Sequence, residues 1–191
     1  NITVRNIYAE NCRYAIDVQD HNRKVEINRN VLIDDVYALN CEWAVRTYNH
    51  RFGHENLTLS NITAEHCQKP MQVSNTDNVI IQNIRIIDHI GEGPAVNVSN
   101  CNMLIIKYVS IKKSSSKEAG ILVKNCQDVT IDGLSLLEKT ESLSSAVSYS
   151  LSKGKIFSNL QIHNVLAINV GDSGIILEKK DNKASLENYI I

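Results

Sequence analysis

Nine residues of this 191-residue chain carry side chains suited to handling a sugar acid, and all lie in its first hundred positions. An Arg guanidinium grips a carboxylate through two parallel hydrogen bonds. That suits Arg46 and Arg51 to anchoring an acidic group. Tyr48 offers a ring face and a hydroxyl. Gln72, Asn97 and His21 offer hydrogen bonds to sugar hydroxyls. His50 and His54 can carry a proton, because an unperturbed imidazole titrates at about pH 6.5, and Asp17 can do so as a carboxylate. The expected chemistry has Arg46, Tyr48, Arg51, Gln72, Asn97 and His21 binding an acidic polysaccharide, with Asp17, His50 and His54 in the catalytic roles. The plainer alternative is that Asp17 and Arg46 pair with each other across the surface. Long solvated turns are rich in the same residue types.

These residues come together only if the chain repeats. NITVRNIYAENCRYAIDV (residues 1–18) overlays NVLIDDVYALNCEWAVRT (residues 30–47) without a gap. NLTLSNITAEHCQKPMQV is a third copy, and NVIIQNIRIIDHIGEGPAVNV a fourth with three extra residues before Ala95. Three more worn copies follow, and ASLENYII begins an eighth. The first apolar residues are Ile2, Val31, Leu57, Val79, Leu104, Val129, Leu160 and Leu186, spaced 22 to 31 residues apart. Each copy holds three short alternating pieces, as in Ile2/Val4, Ile7/Ala9 and Ile16/Val18, and such alternation marks strands with one buried face. Asn or Gly often stands between the first two pieces (Asn6, Asn61, Asn83, Gly133, Asn164), where a left-handed backbone can turn a corner. A small residue precedes the third piece nearly every time.

One such unit cannot bury its inward face alone, but stacked units can. The reading is all-β: a right-handed parallel β-helix solenoid of about seven coils, three short strands per coil. It forms a single domain over residues 1–191, read as part of a longer chain. A cap, further sequence or an oligomer partner is expected at the N-terminal end, because a bare strand layer invites edge pairing. On this frame the third piece of each coil turns Asp17, Arg46, Gln72, Asn97, Leu122, Ser148 and Ile176 outward in one row. The loops after Val18 and Thr47 bring His21, His50, Arg51 and His54 to one end of that row.

A net charge of −1 gives no pull toward nucleic acid or an anionic membrane, and no apolar run approaches a membrane span. Cys12, Cys41 and Cys67 share one slot of neighbouring coils, and Cys101 and Cys126 share another. Stacked side chains with parallel Cβ vectors suit a disulfide poorly, so the five cysteines are read as buried free thiols. No C-x-x-C spacing supports a metal site, and no cofactor is expected. The Asn-x-Ser/Thr matches at Asn1, Asn56, Asn61 and Asn97 fall inside coils and are read as repeat grammar.

The grammar G-I-x-V, a variable loop, then N-x-T-I-x-N resembles the pectin-lyase-like superfamily of parallel β-helices, over nearly the whole chain. The resemblance implies a polysaccharide ligand, commonly acidic, an extracellular or phage or cell-surface setting, and a groove along the strand before the most variable turn. It also takes in phage tailspike proteins. Within it, AVRTYNHRFGHENLTLSNITAEHCQKPMQV resembles polygalacturonases, with Arg46 at the substrate-binding Arg of that family. The pattern departs at Tyr48, where a Lys is expected. Asn75-Thr76-Asp77 follows the Arg strand instead of preceding it, and the family's catalytic aspartates would fall before residue 1. The D-P-H-D run of alginate epimerases and the acidic calcium cluster of pectate lyases are missing. Two classes therefore stay open: a polysaccharide hydrolase, lyase or epimerase, and a non-catalytic glycan-binding or structural β-helix of a larger protein.

Overall fold

The computed structural model describes residues 1–19, 27–48, 53–138, 140, 142–152, 156–179 and 185–191. The strands run in chain order as β1 (Ile2–Glu10), β2 (Tyr14–Gln19), β3 (Arg29–Leu39), β4 (Trp43–Tyr48), β5 (His54–Glu65), β6 (Lys69–Ser74), β7 (Thr76–His89) and β8 (Val96–Ser99). They continue as β9 (Asn102–Ser114), β10 (Ile121–Lys124), β11 (Gln127–Leu136), β12 (Ser145–Leu151), β13 (Ile156–Ala167), β14 (Ser173–Lys179) and β15 (Ser185–Ile190). Odd and even strands segregate. The eight odd-numbered strands, long except for β15, form one sheet in the order β1-β3-β5-β7-β9-β11-β13-β15, and the seven even-numbered, short ones form a second in the order β14-β12-β10-β8-β6-β4-β2. Consecutive strands within each sheet pair in parallel. The chain is therefore a parallel β-solenoid, with a core enclosed between the two sheets.

The repeat alignment survives rung by rung. Ile16, Val45, Met71, Val96, Ile121, Val147 and Ile175 form one continuous column. Ile33, Leu59, Ile81, Ile106 and Ile131 form another in the facing sheet, none more than 1% exposed. Small residues before the short strands let the two sheets approach. A Cβ on Gly120 would stand 3.0 Å from the Ala146 carbonyl oxygen and 3.1 Å from Ile111 Cδ1.

Three features differ from the sequence reading. The first two pieces of each copy are one bent strand, so a coil has two strands rather than three. A single residue with positive φ makes the bend: Asn6 at 56°, Asp35 at 56°, Asn61 at 53°, Asn83 at 55°, Tyr108 at 54°, Gly133 at 80° and Asn164 at 53°. It turns the chain without lengthening it, so pairing skips one rung and resumes, as between Arg5↔Asp34 and Ile7↔Val36. Next, the solenoid makes about 6 turns, slightly fewer than the seven copies, because seven stacked short strands are related by six steps. Finally, Tyr189, not Leu186, occupies the rung of Leu160, and Leu186 sits on Phe157. The corner decides this, since Asn188 at φ 55° falls on Asn159 at 59°.

The corners also bond to each other. Asn30, Asn56 and Asn78 each donate a side-chain N–H to the amide oxygen one coil below, on Asn1, Asn30 and Asn56, at 2.8 to 2.9 Å. Asn83 continues a second ladder to Asn61 at 3.2 Å. Stacked asparagines of this kind recur wherever identical strands pile up in register. Asn56 and Asn61, the residues of two sequon matches, are members of these ladders.

The five cysteines are free thiols, with Cys12 exposed and the other four buried. Cys41 and Cys67 each direct Sγ to the carbonyl two residues back, at 3.4 Å. Burial pushes the Cys67 thiol up to about 11. These thiols serve as small apolar fillers in their slot.

Candidate functional site

The outward face of the short-strand sheet carries part of the set singled out by its chemistry. Pairing places Asp17, Arg46, Gln72 and Asn97 side by side on β2, β4, β6 and β8. Two residues further along the strands, Gln19 pairs with Tyr48. Tyr14, Trp43 and Lys69 form a third row nearer the start of each strand.

Arg46 is committed within the fold. Its Nε donates to Asp17 Oδ1 at 3.0 Å and its Nη2 to Asp17 Oδ2 at 2.9 Å. Nη2 also donates to Gln19 Oε1 at 3.1 Å. The surface pairing left open by the sequence is thus the arrangement found. The side chains are only 19% and 17% exposed, and the Asp17 hydrogen bonds hold the Arg46 guanidinium still more firmly charged. The same guanidinium lies 4.2 Å from the Tyr14 ring centroid and 5.7 Å from that of Trp43.

Tyr14 and Trp43 stack on adjacent coils, with centroids 6.4 Å apart and planes 29° from parallel. Lys69 Nζ stands 4.6 Å over the Trp43 ring and 3.1 Å from Glu42 Oε1. Trp43 Nε1 donates to the same carboxylate oxygen at 3.1 Å. The side chains thus build an aromatic shelf edged by cations.

Beside the shelf opens a cleft of about 370 Å³. Trp43 and Lys69 form one wall, and Met71 with the amides of Gln72 and Asn97 the floor. The other wall runs from Gly91 to Pro94, in the insertion that distinguishes the fourth copy. Gly91 lies against the preceding turn, where a Cβ would meet the Gln68 carbonyl oxygen at 1.8 Å. No larger residue fits there without moving backbone.

The remaining candidates scatter. His54 is 2% exposed at the start of β5. Its Nδ1 accepts from the Asn28 backbone N–H at 3.2 Å, and the His54 backbone N–H donates to the Asn75 carbonyl at 2.9 Å. It faces the interior rather than the open face. Tyr48 ends β4, half-buried. His21, His50 and Arg51 lie outside the described residues. Elsewhere in the described chain His89 is buried. His66 is exposed at a corner, 3.1 Å from Asp88.

Sequence reasoning missed Trp43, Tyr14, Lys69 and the Gly91–Pro94 wall as site members. The signals were present, since Trp43 is the sole tryptophan and the three-residue insertion was visible. Among the described residues no group of three His, Cys, Asp or Glu side chains is placed to hold a metal ion. No described helix is long and apolar enough to cross a membrane. No family model, curated protein or solved structure matches the chain.

Proposed function

We propose that this β-solenoid binds an acidic polysaccharide, extracellularly or at a cell or phage surface, through the cleft between Trp43 and the Gly91–Pro94 wall. The observation that carries the reading is the combination of a tryptophan face with two amides on one rung, Gln72 and Asn97, in a cleft about the size of a sugar unit or two. A ring face takes the C–H side of a pyranose, and amides both donate to and accept from its hydroxyls. Lys69, reaching over Trp43, is the anchor for a carboxylate. Arg46 is not the anchor, because its own fork is taken by Asp17.

Binding is favoured over hydrolysis by one feature of the cleft. Glycoside hydrolysis commonly uses two facing carboxylates, and among the described residues the cleft lining includes only Glu92. The likeness to the pectin-lyase-like superfamily supports a polysaccharide ligand by analogy of repeat grammar alone.

The test is calorimetric titration with oligogalacturonides and with neutral oligosaccharides of equal length. Trp43→Ala should weaken binding about tenfold or more, the loss expected from about 1.4 kcal/mol of ring contact. Lys69→Ala should weaken acidic ligands selectively. Acidic ligands that bind Trp43→Ala as well as the unaltered protein would place the site elsewhere. Failure of every glycan to bind would leave a structural rod as the better description.

A further inference from the structure

The wall opposite Trp43 rests on a buried imidazole. His89, the last residue of β7, is 1% exposed. Its Nε2 is 3.1 Å from the Gln68 carbonyl oxygen, and its Nδ1 is 3.0 Å from Ser114 Oγ. A carbonyl only accepts, so Nε2 carries the proton and Nδ1 accepts from the serine hydroxyl. Gly91 lies directly on this contact, with a Cβ position 3.1 Å from His89 Nε2. Around it the wall is tied by Ile90 N–H to the Cys67 carbonyl at 3.2 Å and by Ser116 Oγ–H to the Glu92 carbonyl at 2.8 Å.

We infer that His89 is a positioning residue for the cleft wall, and that adding a proton to its ring opens the wall and releases the ligand. The inference rests on the glycan-binding reading above and concerns the regulation of that same site.

Among the described residues the surroundings of the ring give a positive charge no carboxylate partner. On its own strand, Asp88 turns to Lys113 at 2.9 Å and His66 at 3.1 Å. On β9, Lys112 is tied to Glu138 at 3.6 Å, and Ser114 Oγ already accepts the Ser116 N–H at 3.3 Å. The turn below contributes the buried Cys67 thiol, and the wall contributes Glu92, which lines the cleft. Among the described residues no carboxylate is hydrogen-bonded to the ring. Protonated, Nδ1 becomes a donor aimed at a hydroxyl whose own hydrogen must then turn away from it. Relief comes from moving the Gly91–Pro94 segment and admitting water.

The sign follows from burial. Burial pushes the His89 pKa down, so the closed wall holds fewer protons than an open or unfolded one. Closure is fully favoured above the free value of about 6.5 and weakens as pH falls from there toward the lower value of the sealed ring. One proton is exchanged, so ligand affinity falls by up to about tenfold per pH unit across that window.

Trp43 is the only tryptophan, so its fluorescence reads the cleft alone. Trigalacturonate is titrated from about pH 7.5 down to about pH 5, a range in which sugar carboxylates stay ionised. The unaltered protein and His66→Gln should show the slope. His89→Gln, whose amide reproduces the donor to Gln68 without titrating, should bind with a flat profile. A flat profile in the unaltered protein, or a slope that persists in His89→Gln, overturns the inference. If trigalacturonate does not bind at any pH, the functional reading fails separately. The wall is then followed by NMR titration of the imidazoles in the unaltered protein. A His89 ring titrating below the free value, in step with a change in Trp43 emission, upholds the gate. Titration without that change refutes it, and this measurement also decides if His89→Gln does not fold.

Discussion

Arg46 shows how one side chain can look like a ligand anchor and serve as a strut. Its fork closes on Asp17, its third bond reaches Gln19, and its plane covers Tyr14. Arg46→Ala should lower stability by about 1–3 kcal/mol in urea denaturation, since charge-assisted bonds in a half-buried setting are lost together. Arg46→Lys should recover little of it, because an ammonium cannot form the fork. An unchanged midpoint for Arg46→Ala would show the pair to be decoration. The row Asp17, Arg46, Gln72 and Asn97 was legible because alternation and repeat alignment both specify it. Trp43 and Lys69 were passed over, because a residue that occurs in one copy carries no repeat signal and Trp43 stood out only as the sole tryptophan. His54 was misplaced for a local reason. Gly53 at φ 70°, with its Cβ position 3.0 Å from the Asn75 carbonyl oxygen, turns the chain so that the next side chain points inward.

At the scale of the element, the bent long strand is governed by its left-handed corner. An L-residue other than Asn, Asp or Gly is strained there by about 1–2 kcal/mol. Asn83→Ala should therefore cost about that much plus the amide bond to Asn61, read as a lower melting temperature. Asn83→Gly should cost less, because it keeps the φ freedom and loses only the ladder bond. If alanine and glycine prove equal, backbone strain is not what selects asparagine at the corner. The Asn and Gly corners were identifiable from residue type, whereas Asp35 and Tyr108 were not. That the corners leave one continuous strand was not identifiable either, because a sequence does not show whether pairing resumes after a bend. The eighth copy failed for a related reason: Leu186 satisfied the apolar pattern, but Asn188 set the register.

Across the whole molecule, each coil touches only its neighbours, so stability is close to a sum of coil and interface contributions. Ile81, unexposed between Leu59 and Ile106, lies mid-column. Ile81→Ala should cost about 2–5 kcal/mol. Val4→Ala, in the half-buried first layer, should cost distinctly less. Chemical denaturation of both variants checks the order, and equal losses would show that the coils do not behave as separate layers. Fold class was readable because a solenoid writes its packing into the chain many times over. The cleft was only partly readable because it is made where copies differ.

The corners within the long strands fix one measure of the coil. The first inward apolar residue after the corner follows the first one before it by five positions in Ile2/Ile7, Val31/Val36, Leu57/Ile62, Val79/Ile84, Leu104/Val109, Val129/Leu134 and Leu160/Val165 alike. All the variation in coil length falls in the two turns that flank the short strand. One residue added to a long strand would swap its inner and outer faces. Residues added beside the short strand lengthen only a rim, as the fourth copy does at Gly91–Pro94. The molecule is thus gauge and workbench at once: one side holds a constant pitch, and the other can be refitted coil by coil without the core registering the change.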